Sequence, residues 1–160
     1  MLLNSSHSVW IIIKSVIKSN EKRRLLLTER VKKILLNKIK NKKIAFLGVT
    51  FKPNTDDMRE SSSLLMIPFL LKRGAIINYY DPSGEKKEFS KLKNLSFCYN
   101  VYDACKNVDL VIIHTEWEEF KALDFKKLYK KKKFIIYDMR NLYSVDLMKK
   151  KGFKYYSIGR

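Results

Sequence analysis

The chain is short of helix breakers, cysteine and arginine, and each shortage excludes something. Its 160 residues include only 5 glycines and 3 prolines, none of them between Met1 and Lys42. That opening stretch therefore lacks the two residues that interrupt helices most strongly. Two cysteines, Cys98 and Cys105, are too few for a disulfide framework and lack metal-ligand spacing; a reducing cytoplasm is the expected setting. Long apolar runs are absent as well. Val9 to Ile13 is stopped by Lys14, with Lys18 close behind, far short of a bilayer span, so no membrane partner is expected. Residues 1–8 carry no Lys or Arg, and no small-residue cleavage site follows the apolar stretch, so no signal peptide is expected.

Acidic residues are scarce too: 16 against 34 basic ones, for a formal charge of +18. Such an excess raises a nucleic-acid partner as one reading. Its composition argues against that reading, because 27 of the basic residues are lysine and only 7 are arginine, whereas base recognition leans on arginine forks. The lysines are also scattered, as at Lys32/Lys33, Lys86/Lys87, Lys130 to Lys133 and Lys149 to Lys151. With abundant Ile and Asn, the pattern fits general lysine enrichment of an AT-rich genome. A positive field would still favour an anionic ligand.

What is present is enough apolar residue, 46%, for one compact domain with an appended helix. Ile13, Val16, Ile17, Asn20, Arg24 and Leu27, continued by Val31, Ile34, Leu35 and Ile39, follow helical spacing. Residues 9–40 are thus read as one long amphipathic helix or two in series. Its apolar face is too large for a solitary helix, so it should pack on its own domain or on another subunit. From residue 43 strands and helices alternate: strands at 43–49, 76–80, 96–99, 109–115, 134–138 and 153–158, helices at 60–73, 101–107, 117–121, 124–129 and 144–151. Regular alternation implies right-handed crossovers and a mostly parallel sheet covered on both faces. The expected fold is a Rossmann-like three-layer α/β domain over residues 43–160, preceded by a helical segment over 1–42.

The first strand is followed by Gly48-Val-Thr-Phe-Lys-Pro53. A dinucleotide cradle would need Gly-x-Gly-x-x-Gly there, so that backbone can approach the pyrophosphate. One glycine remains, and Pro53 has no amide proton to give. Asp81 ends the second strand where such folds place a ribose-binding acid; followed by Pro82, it reads better as a turn former. The loop is richer in side chains. Lys52 can meet a phosphate or sugar oxygen as a point charge, and Arg59 can fork onto a phosphate or carboxylate. Asp56, Asp57 and Ser61 to Ser63 equally suit caps for the next helix. His114 reads as a strand-end residue. Arg140 follows the strand at 134–138, either as an anion contact or as half of a structural ion pair. Parallel strands present these ends on one side, which would put Lys52, Glu116 and Arg140 along one crevice.

Three separated segments resemble the UDP-glucose/GDP-mannose dehydrogenase family. They are Gly48-x-x-Phe51-Lys-Pro-Asn-Thr-Asp-Asp-x-Arg-Glu60, Thr115-Glu-Trp-x-x-Phe120, and the pair Asp138-x-Arg-Asn-Leu-Tyr143 and Tyr155-x-x-Ile-Gly-Arg160. Order and spacing agree over residues 43–160. Val16 to Glu21 is similar, more weakly, to the helix that joins the family's two domains and forms much of its dimer interface. The family oxidises the C6 alcohol of a UDP-hexose to a carboxylate, with two hydride transfers to NAD and a cysteine nucleophile. The resemblance implies that Phe51, Lys52 and Arg140 contact the UDP-sugar and that Arg59 reaches the NAD cofactor. It also implies a homo-oligomer through the N-terminal helix and cooperation with an N-terminal dehydrogenase half. The glycine-rich NAD motif and the nucleophile segment have no counterpart in this sequence, and neither cysteine matches that context. A split or truncated form, inactive alone, is therefore expected. The alternatives are a structural dimerisation module and, less well supported, a basic nucleic-acid-binding module.

Overall fold

The computed structural model describes residues 4–128 and 134–159. The whole lysine run at 130–133 and the terminal Arg160 lie outside them. One helix, α1 (Asn4–Ile34), opens the chain. It stops about a turn and a half before the expected end at residue 40, because Leu36 and Asn37 take positive φ values of 51° and 61°, which a right-handed helix cannot continue. Leu35 and Ile39 are nevertheless buried, so the apolar pattern there marks core contact and not further helix.

The strands β1 (Lys43–Leu47), β2 (Ile76–Tyr80), β3 (Leu95–Phe97), β4 (Leu110–Ile113), β5 (Ile135–Asp138) and β6 (Lys154–Ser157) form one sheet in the order β3-β2-β1-β4-β5-β6. Every pairing is parallel. This is the doubly wound order, in which the chain reverses direction across the sheet between β1 and β4. The helices α2 (Ser63–Lys72), α3 (Val101–Ala104), α4 (Phe125–Leu128) and α5 (Val145–Lys150) fill the crossovers. Most elements are a residue or two shorter than the sequence pattern suggests, and the expected helix at 117–121 is a 3-10 turn at Glu118–Ala122. Pro68 sits inside α2, which continues past it for another turn.

Alternate residues along the central strands feed two cores. Ile44, Phe46, Leu110, Ile112 and Tyr137 pack on one face with Met66, Ile67 and Leu70 of α2 and with Val31 and Ile34 of α1. Ala45, Leu47, Val111, Ile113 and Ile136 pack on the other with Val101 and Ala104 of α3, Phe120 and Met148. Double-sided burial explains why β1 and β4 read as continuous apolar runs. The last turns of α1 belong to the first core, but its opening does not. Trp10, Ile11, Ile12, Val16 and Ile17 are each at least half exposed.

Candidate functional site

At the carboxyl ends of β1, β4 and β5 lies a cavity of about 530 Å³, the place where open α/β sheets hold ligands. The loop after β1 contributes Phe51, Lys52 and Glu60; Ser61 and Ser62 come from the entry to α2. His114 and Glu116 follow β4, Met139 and Arg140 follow β5, and Ile158 follows β6. One face of α1 closes the wall with Asn20, Arg23, Arg24 and Leu27.

The shape of the first loop is set from below. Gly48 has φ +74°, and a Cβ there would lie 2.6 Å from the Cβ of Thr115. Glycine is needed both for the left-handed backbone and for this approach of β1 to β4. Asp81 is 1% exposed, and its carboxylate accepts from the Val49 amide at 2.7 Å and the Thr50 amide at 3.3 Å. It also accepts from the amide and hydroxyl of Ser83, with Lys86 Nζ 3.8 Å away. The turn role expected for Asp81 is there, and a second one accompanies it: the carboxylate clamps the loop after β1. Its oxygens are spent on that clamp and do not face a nucleotide ribose. The serines expected as helix caps do something else. Ser61 and Ser63 both donate to the Val49 carbonyl, at 2.6 and 2.5 Å, while the capping residue Ser62 makes no side-chain cap bond. Asp57 likewise turns away from α2 and accepts from the amide and guanidinium of Arg59. That guanidinium holds the Asp57 carboxyl down at about 2.

Arg140 ties three strand ends together. Its Nε donates to the His114 carbonyl at 2.7 Å, an Nη reaches the Phe51 carbonyl at 3.4 Å, and Glu116 lies 2.8 Å away. The ion pair and the crevice position therefore coexist. Arg24 reaches from α1 to Glu60 in a second ion pair across the cavity. Both pairs consume an acid of the lining, and Lys52, Arg23, Arg24 and Arg140 still outnumber Glu60 and Glu116, so the cavity favours an anion. Arg59 is different: its side chain is 89% exposed, held by Asp57, and absent from the cavity lining.

His114, read from sequence as a strand-end residue, does follow β4 directly. It is also 1% exposed, with Nε2 2.8 Å from Ser62 Oγ and Nδ1 3.0 Å from Thr115 Oγ1. Burial, helped by the nearby Arg140 charge, pushes its pKa down to about 3, so the ring is neutral. Sequence reading missed Ser62, Arg23 and Arg24 as wall residues. A signal existed for the arginines: Asn20, Arg23, Arg24 and Leu27 stand at i, i+3, i+4, i+7, a polar break in an otherwise apolar helix face. Nothing local marks Ser62 apart from its neighbours.

The two cysteines lie away from the cavity lining. Burial pushes both thiols up from their ordinary value, Cys105 much further than Cys98. Neither is a poised thiolate.

Comparison with known proteins agrees with this geometry. Residues 45–145 match the model of the UDP binding domain of the UDP-glucose/GDP-mannose dehydrogenase family. The chain is 38% identical to a UDP-glucose 6-dehydrogenase of Rickettsia conorii, an alignment covering 99% of this chain and 37% of that protein. Among solved structures, a UDP-glucose dehydrogenase from Pyrobaculum islandicum superposes with TM-score 0.70 at 25% identity, over 91% of this chain and 31% of the other. An NDP-N-acetyl-D-galactosaminuronic acid dehydrogenase from Methanosarcina mazei gives 0.69 at 27%, over 87% and 29%. This chain thus spans little more than a third of the length of the curated relatives it matches. With the doubly wound sheet, the cationic cavity at its switch point and a family match over most of the domain, the chain belongs to the UDP-glucose/GDP-mannose dehydrogenase family, through that family's UDP-binding domain.

Proposed function

We propose that the cavity binds the UDP-sugar of a UDP-glucose 6-dehydrogenase reaction, the oxidation of UDP-glucose to UDP-glucuronate. In this reading the chain supplies the sugar-nucleotide side of the site and an N-terminal dehydrogenase half supplies the hydride chemistry. The observation that carries the reading is the convergence of Lys52, from the loop after β1, and Arg140, from the end of β5, on one cavity within a UDP-binding domain. Phe51, half exposed at the rim, offers an apolar edge beside the two cations. NAD would serve the complete enzyme. The residues here do not form its usual cradle: Gly48 is closed against Thr115, and Asp81 is spent on the Val49 and Thr50 amides. Arg59, exposed outside the cavity, would reach across to the cofactor held by that other half.

The test is titration of the purified chain with UDP, followed by amide chemical shifts. Residues 51–59 and 138–141 should respond. Glu60 and Glu116 compete for the cations, so the dissociation constant should be on the order of millimolar. A charge-assisted hydrogen bond contributes roughly 1.5–3 kcal/mol. Lys52→Ala and Arg140→Ala should therefore each weaken binding about tenfold or more, while Lys149→Ala, at an exposed position on α5, should not. Equal behaviour of all three variants would mean diffuse attraction to a +18 surface.

A second reading rests on the exposed apolar residues from Val9 to Ile17 on α1: this half-helix joins the chain to another subunit as a homo-oligomer. It is compatible with the first.

A further inference from the structure

We propose that Ser62 is a specificity-determining residue of the cavity, held so that it offers lone pairs and not a proton, and that it selects ligands bringing a hydroxyl or N–H beside their phosphates. The proposal rests on the UDP-sugar reading of the site and adds a chemical filter to it.

The proton accounting starts at a carbonyl. Thr115 Oγ1 lies 2.8 Å from the Thr50 carbonyl oxygen, which can only accept, so the threonine hydroxyl gives its proton there. His114 Nδ1, 3.0 Å from the same Oγ1, must then be the donor of that pair. A neutral imidazole carries one proton, and burial keeps this ring neutral. Nε2 is thereby left bare. Ser62 Oγ, 2.8 Å from Nε2, has to donate. The chain runs one way, from Ser62 through His114 and Thr115 to the Thr50 carbonyl, and it fixes the hydroxyl rotor of Ser62.

Once that proton is committed, Ser62 Oγ can only accept from the cavity it lines. The cations that share the lining, Lys52, Arg24 and Arg140, are donors suited to phosphate oxygens. A bare anion satisfies these and leaves Ser62 unmatched, or sets oxygen against oxygen. A ligand carrying a hydroxyl or N–H next to its phosphates satisfies both. The same arrangement argues against Ser62 as a nucleophile. A ring held so far below its ordinary value is a weak base, and its Nδ1 partner is a neutral threonine, where a carboxylate would be needed to stabilise an imidazolium.

The experiment titrates the full chain and its Ser62→Ala variant with UDP-glucose and, separately, with inorganic pyrophosphate. Ser62 makes no side-chain cap bond to α2, so the substitution leaves the helix start intact. Loss of one neutral hydrogen bond should weaken UDP-glucose binding roughly two- to twelve-fold and leave pyrophosphate binding unchanged or tighter. If the variant keeps the full preference for UDP-glucose, or loses both ligands equally, the filter is wrong and the UDP-sugar reading stands. If UDP-glucose binds the unmodified chain no more tightly than pyrophosphate, the UDP-sugar reading falls and the filter falls with it. Nitrogen-15 NMR of the His114 ring gives a ligand-free check. A protonated Nδ1 with bare Nε2 supports the proposal; the opposite tautomer overturns it.

Discussion

His114 shows how little a residue's type says before its neighbours are known. Its ordinary pKa of 6.5 falls to about 3 because the ring is enclosed, with the Arg140 charge adding to the effect. The linkage has a definite sign. Above pH 6.5 neither the folded nor the unfolded ring holds an extra proton. As pH falls toward 3 only the unfolded ring takes one up, so stability present above 6.5 is progressively lost. One proton corresponds to a slope of about 1.4 kcal/mol per pH unit. Urea unfolding between pH 6.5 and 4.5 should show this fall, and His114→Gln should flatten it whatever its own stability at pH 7. A slope unchanged in the variant would mean the ring is open to protons. The Asp57–Arg59 pair acts lower, with its contribution lost as pH drops from the ordinary carboxylate value of 3.8 through about 2, so of the two only the His114 contribution changes between pH 6.5 and 4.5, and the windows overlap only near their ends.

At the scale of elements, α1 is two helices in one. Its last turns place Val31 and Ile34 in the core, 0% and 5% exposed, while Ile12 and Val16 toward its start are 61% and 52% exposed. Between them the face carrying Asn20, Arg23, Arg24 and Leu27 walls the cavity, and the Arg24–Glu60 pair links it to the loop after β1. Ile34→Ala should destabilise the domain by about 2–5 kcal/mol, as truncation of a buried isoleucine does. Ile12→Ser should stay within about 0.5 kcal/mol, measured by urea unfolding in dilute protein where self-association does not contribute. Equal costs would mean that the exposed half is covered within the monomer. The apolar periodicity of residues 13–39 was plain in the sequence, but it could not separate these fates. Period 3.6 reports that a face is apolar and is silent about what covers it.

For the whole molecule, the exposed half of α1 is the strongest reason to expect self-association. A row of large apolar side chains from Val9 to Ile17 in water favours burial against another surface. Sedimentation velocity should find a dimer or larger species, lost on removing residues 1–19, a cut that keeps the cavity wall and the buried turns. A monomer at all concentrations would sink the subunit-joining reading. No described helix is long and apolar enough to cross a membrane, so that row does not mark a transmembrane span.

The order of elements, the parallel sheet and the loop that carries Lys52 were legible along the chain, because hydrophobic period, breaker placement and short motifs are local properties. Gly48 followed by Pro53 likewise told that a glycine-rich cradle was missing. The meeting of parts was not legible. Asp81 with the amides of Val49 and Thr50, Arg140 with Phe51, His114 and Glu116, Ser62 with His114, and Arg24 with Glu60 pair residues that stand from 24 to 89 positions apart. Sequence alone determined which side chains the domain would carry to the edge of its sheet. Which of them hold one another, and which are left to hold a ligand, was decided by the register of the strands and by the crossing of α1 over their ends. Hydrogen bonds and ion pairs act over a few ångströms, and only the folded chain brings such distant residues that close.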